Sequence, residues 1–104
     1  MKAMVLGAFR PAAEDPLDLK DVPEPSVGPE EILIRVRRCG VCHTDLHAVE
    51  GELAGAKLPL LPGHEVIGVV ERAGESAKRF RIGERVGAAW LRSACGVCRF
   101  CVSG

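Results

Sequence analysis

The stretch Cys39-Gly40-Val41-Cys42-His43-Thr44-Asp45-Leu46-His47 decides how the rest of the chain is read. It holds two thiols, two imidazoles, a hydroxyl and a carboxylate. The third imidazole follows in Pro62-Gly63-His64-Glu65. The other three thiols lie together in Cys95-Gly96-Val97-Cys98-Arg99-Phe100-Cys101. Every Cys and His therefore falls in one of three short clusters, a distribution that points to metal chemistry rather than to scattered thiols and imidazoles.

Working outward, the residues before the stretch give the clearest strand, Glu31 to Arg38. Ile32, Ile34 and Val36 line one face and Arg35 and Arg37 the other, the arginines reading as a solvated surface. Beyond it, Thr44 is a candidate N-cap for a short helix that carries Leu46 and His47 and ends at Gly51. Glu65 to Arg72 is apolar on nearly both sides and reads as a central strand, with Gly68 marking a close backbone approach. Met1 to Phe9 reads as a strand buried on much of both faces, Leu17 to Val22 as a half-exposed one, and Glu84 to Trp90 as a strand introduced by Gly83. Pro23, Pro25, Gly28 and Pro29 make an extended connector, and Gly74 a turn. About five strands, many Gly/Pro turns and one short helix predict a mainly β fold, a small barrel or sandwich. No βαβ rhythm and no GxGxxG after a strand are present, so these residues bind no dinucleotide by themselves.

The bulk properties narrow the partners. The 104 residues suit one domain with a feasible but modest core, and 47% apolar with 27% charged residues is ordinary for a globular protein. Lys+Arg and Asp+Glu both number 14, which gives no electrostatic reason to expect nucleic acid or an anionic membrane as partner. No apolar run approaches the roughly 20 residues of a membrane helix, and the N-terminus lacks a signal-peptide pattern. The expected compartment is the cytoplasm, where five cysteines in CxxC spacings act as metal ligands or redox thiols rather than disulfides.

Cys42 and His64 supply the soft and borderline donors that Zn²⁺ prefers, and a catalytic zinc takes three protein ligands and keeps one open position. Both flank predicted strand ends. Asp45 and Glu65 lie beside them, and one of the two can accept the distal N–H of a ligating imidazole. Thr44 and His47, about a helical turn apart, can pass a proton from a buried metal-bound oxygen to solvent. A lone His64 is usually a satisfied core or surface histidine; its company favours the ligand reading. Cys39 reads as a small buried hydrophobe. The three thiols Cys95, Cys98 and Cys101 can face one ion, although a closed structural zinc site needs four ligands. Two other readings use the same residues. Cys39, Cys42, Cys95 and Cys98 make two CxxC knuckles and could form a non-enzymatic Cys₄ zinc module. The C-x2-C-x2-C run also matches part of an iron–sulfur pattern that lacks its fourth Cys.

Gly40-Val41-Cys42-His43-Thr44-Asp45-Leu46-His47, Gly63-His64-Glu65-Val66-Ile67-Gly68 with Gly74, Trp90-Leu91 and the Cys95/Cys98/Cys101 knot resemble the zinc-dependent medium-chain alcohol dehydrogenases over essentially the whole chain. The resemblance implies a GroES-like β barrel with one or two short helices. It implies Cys42 and His64 as catalytic zinc ligands, Glu65 close behind the metal as an occasional ligand, and Asp45 holding His64. It implies Thr44 on the alcohol hydroxyl, His47 carrying its proton outward, His43 near the coenzyme pyrophosphate and Trp90 walling a pocket for small alcohols. Cys95, Cys98 and Cys101 would bind structural zinc.

The implied reaction oxidises small primary alcohols to aldehydes, zinc stabilising the alkoxide while hydride passes to NAD or NADP. A third catalytic ligand, a fourth structural Cys and the nucleotide-binding domain are absent from these 104 residues. The chain is therefore expected to be the N-terminal part of the catalytic domain, incomplete at the C-terminus, with 91–104 opening the structural-zinc lobe. Alone it is expected to be inactive and self-associating, and the full-length protein a homo-oligomer.

Overall fold

The structure is a computed structural model that describes residues 1–91 and 93–103. Arg92 and Gly104, both within the expected structural-zinc lobe, lie outside the described residues. Five strands form two antiparallel sheets. β1 (Lys2–Leu6) pairs with β2 (Leu17–Asp21). β3 (Ile32–Gly40), β4 (Glu65–Ala73) and β5 (Arg85–Ala88) make the second sheet with β4 in the middle. Two short helices, α1 (His43–Glu50) and α2 (Arg99–Ser103), and a 3₁₀ turn at Ala12–Glu14 complete the described chain. The mainly β fold is as expected, and the strand positions hold to within a few residues.

The loop that leads into β4 is tied to the first sheet where Leu6 and Leu60 exchange both backbone hydrogen bonds, at 2.8 and 3.0 Å. The buried apolar residues are few: Val5, Leu6, Val49, Val70 and Val86 among those described. Leu6 is wholly enclosed, and α1 contributes Val49 from its inner face. The described strands do not close on themselves: β3 and β5 pair with β4 but not with each other.

β4 is central in hydrogen bonding, yet one of its faces is open, which departs from the expectation of burial on both sides. Ile67 is 52% exposed, because no further layer packs on that face of the described sheet; Val36 on β3, paired with Gly68 and so on the other face, is 53% exposed as well. β1 stops at Leu6 rather than running on to Phe9, and Met4 within it and Phe9 beyond it are both exposed. β3 runs on to Gly40 but carries register shifts between Leu33 and Ile34 and between Val36 and Arg38. Arg37 is thereby left without a cross-strand partner, so the simple alternation of Arg35 with Arg37 breaks. Gly68 does mark a close approach: a Cβ there would lie 2.4 Å from the Arg35 carbonyl oxygen and 2.5 Å from Ile34 Cγ2. Only glycine lets β3 and β4 pair at that point.

Candidate metal centre

The β3–β4 ladder ends with Gly40 opposite Glu65. A side chain at Gly40 would place its Cβ 2.1 Å from Glu65 Oε2, so glycine here gives the Glu65 carboxylate its room. Two residues on, Cys42 turns the extended strand into α1 and is itself the N-cap, with φ −124° and ψ 178°. Its sulfur accepts the Thr44 N–H at 3.3 Å, and its own N–H donates to Asp45 Oδ2 at 2.9 Å. This reciprocal arrangement is a capping box with sulfur in place of the usual hydroxyl. The helix therefore starts at His43 under a Cys42 cap, which corrects the expectation of a Thr44 cap. Asp45, three residues after Cys42, returns the cap, and the Thr44 backbone is already inside the first turn. Gly51 closes the helix in the left-handed region, as its sequence position foretold.

Asp45 is 9% exposed and is the single buried charged residue among those described. Burying a carboxylate is costly unless its oxygens are filled, and here both are. Oδ2 holds the Cys42 N–H, and Oδ1 meets His64 Nδ1 at 3.2 Å. An ionised carboxylate only accepts, so Nδ1 carries a proton, and in the neutral imidazole Nε2 then keeps its lone pair. That lone pair faces Cys42 Sγ at 3.4 Å. Zinc–sulfur and zinc–imidazole bonds of about 2.3 and 2.0–2.1 Å at a tetrahedral angle put S and N about 3.5 Å apart. The observed separation matches that edge. The donor atoms of Cys42, His64 and Glu65 all lie within 4.8 Å of one another, so three residues from two strand ends converge on one point.

Trp90, His43 and His47 were also singled out in the sequence, and of these Trp90 lies against the cluster. Trp90 sets its ring edge-on to His64, centroids 4.7 Å apart at 77°, while staying largely exposed. On α1, His43 and His47 stack at 4.8 Å and 16°. His47 Nδ1 is hydrogen-bonded to Glu52.

The second cluster forms where the turn at Gly96 leads into α2. Cys101 Sγ lies 3.7 Å from Cys95 Sγ and 3.4 Å from Cys98 Sγ. Thiolates on one tetrahedral zinc sit about 3.8 Å apart, so this knot has the size of a metal site. Hydrogen bonds from the backbone N–H groups of Val97 and Cys98, reinforced by the Cys98 and Cys101 thiols, lower the Cys95 thiol from its ordinary 9.0 to about 7. The Cys98 N–H lies 3.3 Å from that sulfur.

The family model for the alcohol dehydrogenase GroES-like domain matches residues 28–104. The chain belongs to this family. It is 48% identical over 105 aligned positions to an alcohol dehydrogenase of Geobacillus stearothermophilus, covering 100% of this chain and 30% of that relative. Among solved structures it resembles a cobalt- and zinc-bound thermostable alcohol dehydrogenase from Pyrobaculum aerophilum, with TM-score 0.85, 35% identity, and 100% and 30% of the two chains covered. It also resembles CAD from Helicobacter pylori complexed with NADP(H), with TM-score 0.77, 30% identity, and 99% and 30% covered. The chain thus spans about a third of the length of each of these proteins.

In this GroES-like domain Cys42, His64, Glu65 and Asp45 form one cluster and Cys95, Cys98 and Cys101 another. Cys39 joins neither cluster, and it is exposed rather than buried. Its sulfur sits beside Gly63, where a Cβ would approach it to 2.9 Å. The residue that sequence reasoning missed is Glu52. Its signal was faint: the first carboxylate after the Gly51 stop, five positions beyond His47.

Proposed function

We propose that this chain supplies the catalytic-zinc half-site, and the first part of a structural-zinc site, of a zinc-dependent alcohol dehydrogenase that oxidises small primary alcohols with NAD or NADP. The observation that carries the reading is the chain Asp45–His64–Cys42. A buried carboxylate aims one imidazole nitrogen at a thiol, at the spacing of two ligands on one tetrahedral ion. Zinc, when bound, supplies Lewis-acid polarisation of the substrate oxygen, and the nicotinamide accepts hydride.

The chain's own residues do the rest. Cys42 and His64 hold the metal, with Glu65 within reach of the same point. Asp45 orients His64 and anchors the start of α1. Thr44, on the first turn beside Cys42, is placed to hydrogen-bond the alcohol hydroxyl, and His47, three residues on, to carry the proton to solvent. Trp90 stands next to His64 and narrows the approach, which favours small alcohols. His43 presents its ring at the surface for a coenzyme pyrophosphate. Cys95, Cys98 and Cys101 hold a structural ion away from the chemistry.

The reading extends to the whole protein. We place it in the cytoplasm, given five free thiols, and as a homo-oligomer. The 104 residues alone carry no glycine-rich dinucleotide fingerprint, so they are expected to turn over no alcohol. Their exposed apolar sheet residues, Val36 and Ile67, are expected to drive self-association.

Zinc stoichiometry of the purified chain tests the assignment. Cys42→Ser is expected to lose the metal of one site and Cys39→Ser none. Collapse of all metal binding in Cys39→Ser would instead support a Cys₄ module built from Cys39, Cys42, Cys95 and Cys98.

A further inference from the structure

We propose that Glu52 is the positioning residue of His47, fixing the ring so that Nδ1 carries the proton and Nε2 is the free base. The end of α1 sets this up. Gly51 adopts φ 83° as the C-cap, and the N–H groups of both Gly51 and Glu52 reach the His47 carbonyl oxygen, Glu52 at 2.9 Å. Glu52 is therefore hooked by its backbone to the residue whose ring its side chain grips. Phe9 packs over the turn: a Cβ at Gly51 would lie 2.9 Å from Phe9 Cγ, so the glycine and the aromatic ring together hold the turn in place.

The ring of His47 is bounded on two sides. His43 stacks on its face, with centroids 4.8 Å apart, and the Glu52 carboxylate engages Nδ1. An ionised carboxylate has no proton to give, so the bond requires Nδ1–H and leaves the Nε2 lone pair unused. The His64–Asp45 pair selects the same tautomer at the metal centre. One device thus recurs on His64 and His47. The His47 and Glu52 side chains are 41% and 58% exposed, and a pair so wetted adds little to stability. Its consequence is orientation: a ring with a fixed tautomer presents the same basic nitrogen on every encounter.

The catalytic meaning of this arrangement rests on the proton-carrying reading of His47, whereas the tautomer does not, and the tests separate the two. Long-range ¹H–¹⁵N correlation of the imidazoles in the 104-residue chain, at a pH where they are neutral, reads the tautomer directly. His64 serves as the internal Nδ1–H reference. The wild-type chain is expected to show His47 as Nδ1–H. Glu52→Gln, whose amide oxygen still accepts, is expected to keep that pattern, and Glu52→Ala to revert to Nε2–H with His64 unchanged. A wild-type His47 in the Nε2–H form overturns the proposal even if both variants fail to fold, as does an unaltered tautomer in Glu52→Ala. In the full-length dehydrogenase, Glu52→Ala is expected to lower kcat about tenfold, a fraction of the 10²–10⁴ that a positioned acid–base group contributes. Partial recovery with added imidazole buffer is expected. An unchanged kcat beside the expected tautomer shift refutes His47 as proton carrier and leaves Glu52 as its positioning residue.

Discussion

Replacing Asp45 by Asn removes one charge and almost no volume, and the structure says what should follow. The two carboxylate oxygens receive separate donors, the Cys42 N–H at 2.9 Å and His64 Nδ1–H at 3.2 Å. An asparagine amide has one oxygen and one NH₂, so it serves one donor and turns its own donor toward the other. At the third position of a capping box an amide oxygen can accept the N-cap N–H, as Gln does in place of Glu, so the Cys42 contact is the one that survives. His64 then loses its acceptor or flips its tautomer, and leaving such a partly buried donor unmatched costs about 1–3 kcal/mol. Loss of the carboxylate behind a ligating histidine typically lowers metal affinity about 10- to 100-fold, or about 1.4–2.8 kcal/mol. The two routes agree in size. Asp45→Ala loses both contacts and should cost about 2–4 kcal/mol of folding stability, a large share of the 5–15 kcal/mol of an ordinary domain. The assay is zinc competition against a chromophoric chelator. It is run with Cys95, Cys98 and Cys101 changed to Ser, so that one site is titrated, and urea unfolding runs in parallel. Asp45→Asn with zinc affinity within about twofold of the parent and an unchanged unfolding midpoint would refute the reasoning, because then the oxygen facing His64 does not matter.

Two further outcomes test other parts of the structure. Gly68→Ala must push a methyl to within 2.4 Å of the Arg35 carbonyl. Overpacking of this kind costs about 1–3 kcal/mol, seen as a lower urea midpoint at constant slope, and an unchanged midpoint would mean that β3 and β4 are not paired at this register. In metal-free chain, Cys95 with its pKa of about 7 is expected to alkylate with a rate midpoint near pH 7, and zinc is expected to protect it. Folding lowers this thiol below the 9.0 of the unfolded chain. The stability it contributes is therefore fully present above pH 9 and is lost as the pH falls through 7. A midpoint at 8.5 or above would show that the Val97 and Cys98 N–H groups do not face the sulfur.

Much of this was legible in the residues because the informative contacts are local. Cys42, Asp45 and Gly51 define α1 within ten positions, and the alternation in β3 and the β-branched apolar run in β4 show the strands. The ladder that brings His64 to Cys42 was inferred only as adjacency of strand ends. What was hidden depends on tertiary context. Which residue caps α1 turned on a sulfur accepting a hydrogen bond, a role in which cysteine is uncommon. The exposure of Ile67 was invisible because an apolar strand reads the same whether or not a second layer covers it. Glu52 was overlooked because a carboxylate after a helix stop has no periodic signature, and only the geometry of the Gly51 turn carries it back to His47.

The spacing of the ligand cluster also sets an order of events during synthesis. The capping contacts of Cys42, Thr44 and Asp45 span three residues, and His64 lies 22 residues downstream of Cys42. At about 5–20 residues per second, His64 emerges from the ribosome roughly one to four seconds after the thiol that it will face. Closing a loop of that length costs about 2.7 kcal/mol in chain entropy, and the β3–β4 pairing that brackets it can repay this early. The candidate metal pocket can thus form once β4 has emerged and paired with β3, with its imidazole steered by Asp45 before the Cys95, Cys98 and Cys101 cluster has emerged.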